Sequence, residues 1–454
     1  MINIQIDSRL VKPGDTFVAI KGNIVDGHKF IDTAIKNGAT KVIVSNNKNY
    51  SVETINVPDT EKYLQDYLVK NYAKEFDNMK IVGITGTNGK TTTAYMTYQL
   101  LRKLDKKVAY IGTIGFYYND HFEHTLNTTP DILNLYKYLL KAKKEKCEIV
   151  LIEASSIGLM EGRMSGLKFD VAAYTNLTHD HLDYHKTMSE YKNAKLILFE
   201  NLKENGTSVI NADDKYGKYF MVNKNIITYG FKDTDILCTK HDNACKEFSY
   251  SFKGKEYETT SPLFGKYNIY NIMCSIGILA SLNIDLNLIN KYYPTLKAPT
   301  GRINMFDYKT NKIIIDYAHT PDGVKQVLSS ACNLSAGKTY VVFGCPGNRD
   351  RAKRPMMGRI VSKYADYFII TDDDPHYEDE KKIADEIVKG VQDNSNYEVI
   401  IDRKKAIDKA FNMLKENDLL LILGKGHEEA IIVKDQRIPH NDLKYVDNLI
   451  KNAK

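Results

Sequence analysis

The chain has 454 residues, too many for one ordinary domain, because domains usually have about 100–200 residues. Its residues are 43% hydrophobic and 26% charged, which is the composition of a globular protein and excludes a disordered or fibrous chain. The 63 Lys and Arg nearly balance the 57 Asp and Glu, and no basic block concentrates the net charge of +6. This pattern argues against a nucleic-acid-binding protein.

Targeting signals and disulfides are not indicated. No apolar run approaches the roughly 20 residues that span a bilayer. Residues 1–9 lack the basic and then apolar pattern of a signal peptide. The six cysteines show no CxxC spacing, so we predict reduced thiols and no zinc site. We therefore expect a cytoplasmic protein that does not cross a membrane.

The first region, residues 1–75, is predicted to be a small α/β domain. Its elements are three short apolar stretches and one helical segment: strands at 16–20, 41–44 and 54–57, and a helix at 30–37. Turns are predicted at Pro13-Gly14 and Asp26-Gly27, where residues typical of turns interrupt the apolar pattern.

The second region, residues 76–297, alternates apolar strands with helical segments. This alternation predicts a mostly parallel, doubly wound sheet. The predicted strands are 81–85, 108–112, 148–154, 171–176 and 208–211. The polar stretch 231–260 is predicted to be a hairpin-like peripheral excursion.

The third region, residues 298–454, alternates in the same way and is predicted to be a second, Rossmann-like α/β domain. Its predicted strands are 313–318, 340–344, 367–371, 399–402 and 419–424. Its predicted helices are 323–330, 359–364 and 381–392.

The strongest chemical signal is a glycine-rich loop between the strand at 81–85 and a helical stretch at 92–104. The loop and its continuation comprise Gly86, Thr87, Asn88, Gly89, Lys90, Thr91 and Thr92. Glycines let the backbone wrap a phosphate, and a helix N-terminus offers unpaired N–H groups. We predict a nucleotide site in which Lys90 reaches the terminal phosphates and the Thr91 hydroxyl contacts Mg²⁺. The alternative is a plain strand-to-helix turn.

Acidic and imidazole side chains follow the next two predicted strands. Glu153 ends one strand, where a carboxylate suits Mg²⁺ but fits an ordinary strand end equally well. The run TNLTHDHLDYH at 175–185 follows the other strand. Three histidines and two aspartates at the carboxyl end of a strand favour a functional site over structural histidines.

These two segments carry a family resemblance. The loop sequence GITGTNGKTT and the run at 175–185 resemble the Mur ligases, the ATP-dependent amino-acid ligases of peptidoglycan synthesis. The resemblance is to the subgroup that adds the third peptide residue. It extends over nearly the whole chain through NTTP at 127–130, DYAHTP at 316–321, KRP at 353–355 and GKGHE at 424–428. It implies a three-domain architecture with a central P-loop sheet and a C-terminal Rossmann-like domain.

The resemblance also implies roles for particular residues. Two Mg²⁺ ions would be held by Thr91, Glu153, His181 and Lys195, the last as a carbamate formed with CO₂. Lys90, Lys195, His181 and Arg302 would be catalytic. By residue type alone, Lys195 would be a surface lysine and Arg302 an interdomain ion-pair residue. Further ATP contacts would come from Asn268, Asn271, Arg302, Asp316 and His319. Asn268 and Asn271 also fit helix caps.

The implied substrates are a UDP-muramoyl-dipeptide and a diamino acid. Their implied binding residues are Ser8, Asn127, Thr128, Thr129, Ser155, Arg163, Arg349, Asp373, Asp374, His376, Gly424 and Glu428. Members that use diaminopimelate carry an arginine where this chain has His376, while Asp373 and Asp374 offer negative charge to an ammonium. We therefore expect L-lysine, with meso-diaminopimelate or ornithine as alternatives.

The resemblance thus implies an ADP-forming ligase that couples a diamino acid to a D-glutamyl carboxylate through an acyl phosphate. We expect it to be a monomer. The motifs in combination disfavour a folylpolyglutamate synthase and the next Mur ligase. The alternative from another class is a P-loop ATPase or binding protein that does not ligate.

Overall fold

The computed structural model of the chain describes residues 2–22 and 25–453. Its α-helices are α1 (Ile31–Lys36), α2 (Thr60–Tyr72), α3 (Lys90–Lys103), α4 (Ile132–Lys144), α5 (Ser156–Met160), α6 (Leu182–His185), α7 (Met188–Glu200), α8 (Lys266–Ser281), α9 (Leu286–Asn290), α10 (Pro321–Ala331), α11 (Lys353–Tyr364), α12 (Glu380–Val388), α13 (Arg403–Asn412) and α14 (Asp442–Asn452). No helix within these described residues is both long and apolar enough to cross a bilayer.

The strands are β1 (Ile4–Gln5), β2 (Thr16–Val18), β3 (Lys41–Val44), β4 (Glu53–Asn56), β5 (Lys80–Thr85), β6 (Val108–Gly112), β7 (Gly115–Tyr118), β8 (His121–Glu123), β9 (Ile149–Glu153), β10 (Phe169–Tyr174), β11 (Leu202–Asn211), β12 (Asn225–Gly230), β13 (Ile236–His241), β14 (Glu247–Phe252), β15 (Lys255–Thr260), β16 (Asn304–Tyr308), β17 (Asn311–Asp316), β18 (Thr339–Phe343), β19 (Tyr367–Ile370), β20 (Tyr397–Val399), β21 (Leu419–Leu423), β22 (Ala430–Val433) and β23 (Gln436–Pro439).

The first sheet has the order β1-β2-β3-β4, with all neighbours parallel. Phe17 and Val42 on its strands pack with Ile31 and Ala34 of α1 in a small apolar core. Both helical positions are buried because they lie three residues apart, on one face of the helix.

The central sheet has the order β15-β14-β13-β12-β11-β10-β5-β9-β6-β7-β8 and is parallel from β13 to β6. Successive residues of β5 face opposite ways: Ile81 packs in the core that contains α4 and α7, and Val82 in the core that contains α3 and α8. Helices therefore cover both faces, which is the doubly wound arrangement.

The third sheet has the order β16-β17-β21-β18-β19-β20, and only β16 runs antiparallel to its neighbour. Ile314 of β17 packs towards α10 and α11, whereas Ile313 packs towards α13 and α14. The predicted three-part α/β architecture is confirmed. The domain boundaries at 75/76 and 297/298 stay predictions, and Met1 and Lys454, which close the outer predicted domains, lie outside the described residues.

Several predicted elements differ from the structure. The strand expected at 399–402 is β20, two residues earlier, because Asp402 caps α13 by accepting a hydrogen bond from the Lys405 N–H. Helix α2, the strands β1 and β16 and the hairpin β7–β8 are absent from the prediction. The stretch 231–260 does form a hairpin, β14–β15, but this hairpin extends the central sheet.

Candidate active site

The glycine-rich loop lies between β5 and α3, at the carboxyl edge of the central parallel strands. Gly89 has a φ of +89°, and a Cβ there would collide with the Asn271 side chain of α8. The two residues that follow β10 hold the loop by hydrogen bonds. The Thr175 hydroxyl donates to the Asn88 carbonyl at 2.6 Å. The Asn176 side chain donates to the same carbonyl and accepts from the Asn88 N–H. A preformed loop of this kind presents backbone N–H groups to phosphates.

Two lysine side chains converge on this loop. Lys90 Nζ donates to the Gly86 carbonyl at 2.8 Å and to the Thr87 carbonyl at 2.9 Å. Lys195 Nζ, from α7, donates to the same Gly86 carbonyl at 2.9 Å. Lys195 is 1% exposed and lies 4.3 Å above the centre of the Tyr191 ring. Burial, and then the charge of Lys90, hold the pKa of Lys195 well below its usual value.

Glu153 ends β9 and is fully buried beside the loop. Its carboxylate accepts hydrogen bonds from the Thr91 hydroxyl at 2.8 Å, from the Thr113 N–H at 3.0 Å and from the Tyr110 hydroxyl. An oxygen set made of a carboxylate and a hydroxyl has the chemistry that Mg²⁺ prefers. Tyr110 and Thr113 escaped prediction. Tyr110 lies in the middle of β6, the strand beside β9, and Thr113 directly follows that strand.

The histidine-rich run follows β10. His181 has a φ of +54° and precedes α6, and its Nε2 lies 3.3 Å from Asp180 Oδ2. Burial lowers the pKa of His181, so a neutral imidazole nitrogen can serve as a ligand. Burial alone would raise the pKa of Asp180, but the charges of His181 and Lys353 hold it below its usual value.

Two neighbouring cavities lie beside these residues. The smaller, about 390 Å³, is lined by seven of the predicted ATP-binding residues: Asn88, Gly89, Thr92, Asn268, Asn271, Arg302 and Asp316. The larger, about 840 Å³, is lined by His181, His319 and most of the predicted substrate-binding residues: Asn127, Thr128, Thr129, Ser155, Arg163, Arg349, Asp373, Asp374, His376, Gly424 and Glu428. Gly86, Thr87, Lys90, Thr91, Glu153 and Lys195 belong to neither lining.

One segment of the third region separates the cavities. Asp316 and Ala318 line the smaller cavity, whereas Tyr317 and His319 line the larger one. Alternate residues of an extended backbone point to opposite sides, so this segment serves both cavities. Burial, and then the charge of Lys353, lower the pKa of His319 to about 3.

Arg302 reaches the smaller cavity from the third region. Its guanidinium carbon lies 4.5 Å from the centre of the Tyr317 ring. Its Nε is buried, with no hydrogen-bond partner among the described residues. A buried donor without a partner is costly, so this arginine is suited to donate hydrogen bonds to an anionic group such as a phosphate.

The third-region end of the larger cavity is acidic. Here we call the part formed by Asp373, Asp374, His376, Gly424 and Glu428 the amino-acid pocket. The fully buried Lys425 donates to Asp374 Oδ1 at 2.7 Å and lies 2.5 Å from Glu428 Oε2 and 3.8 Å from Asp373 Oδ1. Lys425 escaped prediction because lysine is seldom fully buried. Burial lowers the pKa of His376, which favours a neutral imidazole.

Some predicted substrate residues already have partners. Arg163 pairs with Glu161 at 2.6 Å and donates to the Thr129 carbonyl at 2.7 Å. Ser155 caps α5 by accepting from the Gly158 N–H at 3.1 Å. Ser8 lies in the first region, lines neither cavity, and accepts through its carbonyl from the Asn37 side chain. The structure thus brings the predicted substrate-binding residues, apart from Ser8, together around the larger cavity.

A P-loop sheet joined to a Rossmann-like sheet, with an arginine of the second facing the loop of the first, defines an ATP-using ligase architecture. Comparison with known proteins agrees. Residues 2–75 match the description "Mur ligase family, catalytic domain", 84–279 match "Mur ligase middle domain", and 301–426 match "Mur ligase, glutamate ligase domain".

Curated relatives match over almost the full length. A UDP-N-acetylmuramoyl-L-alanyl-D-glutamate–2,6-diaminopimelate ligase of Fusobacterium nucleatum subsp. nucleatum is 40% identical, over 97% of this chain and 92% of the relative. The enzyme of the same name from Aquifex aeolicus is 39% identical, over 98% and 93%. The chain therefore belongs to the Mur ligase family, and it is an ATP-dependent, ADP-forming ligase.

Solved structures show the same fold. MurF ligase from Thermotoga maritima in complex with ADP has a TM-score of 0.70 at 20% identity, covering 99% of this chain and 98% of its own. The structure of a UDP-N-acetylmuramoyl-L-alanyl-D-glutamate–2,6-diaminopimelate ligase has a TM-score of 0.66 at 29% identity, covering 100% of this chain and 95% of its own. The family and fold predicted from the motifs are confirmed. The prediction of L-lysine finds no support in these names.

Proposed function

We propose that the chain joins a diamino acid to the D-glutamyl carboxylate of UDP-N-acetylmuramoyl-L-alanyl-D-glutamate while ATP is converted to ADP and phosphate. The observation that carries the proposal is that the two cavities lie on opposite sides of residues 316–319, beside the glycine-rich loop. A nucleotide in one cavity and a carboxylate in the other would approach each other there. The names of the relatives support the proposal, because they state a ligase for UDP-N-acetylmuramoyl-L-alanyl-D-glutamate and 2,6-diaminopimelate.

Each region has a proposed part in this reaction. Residues 1–75, with Ser8, would bind the uridine nucleotide. Residues 76–297 would bind ATP, and residues 298–454 would bind the diamino acid and complete the ATP site. Ligation needs three reactants in one place, and holding them in reactive geometry supplies much of the rate acceleration.

The chemistry proposed for the chain's own residues is positioning and charge neutralisation. The substrate carboxylate attacks the γ-phosphorus of ATP. The bond between the γ-phosphorus and the oxygen that leaves with ADP breaks, and an acyl phosphate forms. Lys90 and Arg302 would neutralise the negative charge of the transferring phosphoryl group. The neutral amino group of the diamino acid then attacks the acyl carbon, the bond from that carbon to the phosphate oxygen breaks, and the nitrogen loses one proton as the amide forms.

The metal site proposed for this reaction uses Glu153, Thr91 and His181. Glu153 is already oriented by its hydrogen bonds from Thr91, Thr113 and Tyr110. Bound Mg²⁺ would neutralise charge on the phosphates. These residues fit the ion because they offer a buried carboxylate, a hydroxyl and a neutral imidazole.

Lys195 is the proposed site of the carbamate. A carbamate forms only on an unprotonated amine, and burial beside Lys90 disfavours the ammonium form of Lys195. Carbamylation would replace a buried cation by an anionic oxygen ligand close to the phosphate loop. The position of Lys195 on the Gly86 carbonyl supports this role.

For the diamino acid, we propose meso-2,6-diaminopimelate as the first candidate, because the named relatives share about two fifths of their residues with this chain. L-lysine is the second candidate. The observation in its favour is the acidic amino-acid pocket with a neutral His376, which offers no cationic partner at that position for a second carboxylate.

A panel experiment tests these proposals. The purified chain is given ATP, Mg²⁺, the UDP-muramoyl-dipeptide and meso-diaminopimelate, L-lysine or L-ornithine, and ADP release and product mass are measured. We expect ADP and a mass increase only when nucleotide-peptide and amino acid are both present. ATP hydrolysis without them would favour a P-loop ATPase, and AMP with pyrophosphate would contradict the acyl phosphate.

A pair of variants tests how the protein selects between diaminopimelate and L-lysine. His376→Arg would add a cation to the amino-acid pocket and raise turnover with diaminopimelate relative to L-lysine. The control is Tyr377→Arg, at a neighbouring position that is 62% exposed, where we expect no change in this ratio. An equal response of both variants would contradict a role for residue 376 in selection.

A further inference from the structure

A buried ion pair lies outside both cavities in the third region. Arg403, the first residue of α13, and Asp442, the first residue of α14, are 1% and 0% exposed. The Arg403 Nε and a terminal nitrogen donate to the two Asp442 carboxylate oxygens at 2.9 and 2.7 Å. His440 Nε2 lies 2.7 Å from the same carboxylate.

The remaining hydrogen bonds of Arg403 go to two loops. One terminal nitrogen donates to the Asp372 carbonyl at 3.0 Å, and the other donates to the Leu423 carbonyl at 3.0 Å. Asp372 directly precedes Asp373, and Leu423 directly precedes Gly424. One guanidinium therefore contacts the backbone of the loop that carries Asp373 and the strand residue just before the loop that begins at Gly424.

The sheet itself does not join these loops directly. They follow β19 and β21, which are separated by β18 in the sheet order. Strands two apart are about 9–10 Å from each other, which is too far for a backbone hydrogen bond. Arg403 spans this gap with a rigid, planar group, and Asp442 holds that group in place.

The position of Arg403 in its helix is also electrostatically unfavourable. A cation in the first turn of a helix opposes the helix dipole. Burial alone would lower the pKa of Arg403, but Asp442 raises it, so the guanidinium stays charged. A cation kept at an unfavourable helix position is the kind of local conflict that is expected where function requires it.

We propose that Arg403 is a positioning residue that fixes the spacing of the 371–376 and 424–428 loops, and thereby the geometry of the amino-acid pocket. The proposal rests on the proposed function, because it assigns that pocket to the diamino acid. It concerns a residue that lies outside both cavity linings.

The test compares Arg403→Lys with Ile407→Ala. Lysine keeps the charge next to Asp442 but cannot reach the carboxylate and both carbonyls together. Ile407 lies one turn further along α13 in the apolar core, so its truncation weakens the same helix without touching either loop. Both variants are assayed for thermal stability, for KM of the preferred amino acid and for KM of ATP.

We expect Arg403→Lys to raise KM for the amino acid about tenfold or more while KM for ATP stays within about twofold of wild type. Ile407→Ala should lower stability and leave both KM values near wild type. Hydrogen exchange at the amides of 371–376 and 424–428 should become faster together in Arg403→Lys and not in Ile407→Ala.

Two outcomes distinguish a failure of the positioning role of Arg403 from a failure of the proposed function. If wild type ligates an amino acid but Arg403→Lys changes neither its KM nor the exchange of the two loops, the positioning role is wrong and the proposed function stands. If wild type ligates no diamino acid, the proposed function fails and this inference fails with it. Asp442→Asn, which removes the partner charge, should reproduce the Arg403→Lys phenotype; a stability loss alone would contradict the role.

Discussion

Lys195 shows how far single residues depart from what their type suggests. A lysine is usually a surface residue, yet this one is 1% exposed and shares the Gly86 carbonyl with Lys90. Two ammonium groups at one carbonyl repel each other, and removing the charge of one relieves this repulsion. The proposed carbamate would do so and would leave an anion at the phosphate loop.

This gives a first prediction. With ¹³CO₂, the wild-type chain should show a carbamate carbon signal by NMR that is lost in Lys195→Ala and retained in Lys192→Ala, on the same helix. Turnover of Lys195→Ala should fall about a hundredfold or more, because the variant would lack the proposed carbamate ligand. A carbamate signal that persists in Lys195→Ala would place the modification elsewhere.

Lys90 offers a second prediction at the same scale. Lys90→Met removes the ammonium that is proposed to contact the phosphates, so turnover should fall about a hundredfold or more. Lys103→Met, at the exposed end of the same helix, should remain near wild type. Steady-state ADP release is the measurement. Equal rates in both variants would remove Lys90 from the proposed mechanism.

Asp372 gives a pH prediction. Burial, and then the charges of Glu380 and Asp373, raise the pKa of Asp372 to about 7 in the folded chain. Because this value lies above the unfolded value, the folded state binds the proton more tightly, and Asp372 reduces stability as the pH rises from about 4 to 7. Asp372→Asn should therefore gain thermal stability relative to wild type at pH 8 but not at pH 4. A pH-independent difference between the two melting curves would contradict the shift.

At the scale of elements, local motifs were predictable and contacts between strands were not. The strand, loop and helix around Gly86–Lys90 follow from apolar residues, glycines and a helix start that are adjacent in sequence. The bond from Tyr110 to Glu153 depends on which strands become neighbours, and β6 and β9 are far apart in the chain. Buried Lys425 and Arg403 were missed because only the folded chain supplies their acidic partners.

Gly301, in the turn before β16, gives a prediction at this scale. It has a φ of +77°, and a Cβ there would collide with the His427 backbone. Gly254, in the β14–β15 turn, has a φ of +73° with nothing within 4 Å of a Cβ. Alanine at either position costs about 1–2 kcal/mol for the left-handed backbone.

Gly301→Ala should lose more stability in urea unfolding than Gly254→Ala, because only Gly301→Ala adds the collision. It should also lower ligase turnover, since the turn carries Arg302. Equal stability losses with unchanged turnover in both variants would show that the turn adapts to the added methyl group.

At the scale of the whole molecule, the central and third regions contact each other through polar side chains at the active site. His179 Nε2 lies 2.7 Å from Asp350 Oδ2, and the Asn88 side chain donates to Asp322 at 3.2 Å. These bonds hold the two sheets with Arg302 facing the phosphate loop. The sequence motifs indicate that both regions contribute to one site, but they do not predict how the two regions are oriented relative to each other.

The corresponding prediction concerns His179→Ala. A hydrogen bond between side chains contributes about 1 kcal/mol or more, so its loss should weaken closure of the third region on the central one. We expect lower turnover and a larger radius of gyration by small-angle scattering in the presence of ATP. His121→Ala, on the exposed strand β8, is the control. An unchanged radius and turnover in His179→Ala would contradict a role in closure. The same scattering data test the predicted monomer.

The alternation along residues 316–319 has a practical consequence for inhibition. Because Ala318 lines one cavity and its neighbours Tyr317 and His319 line the other, the two cavities are a single residue apart at this segment. A compound that links an adenosine phosphate to a carboxylate mimic would bind its second half at a high effective concentration once the first half is seated. Its affinity would exceed that of either fragment with no contact beyond those that each fragment makes alone.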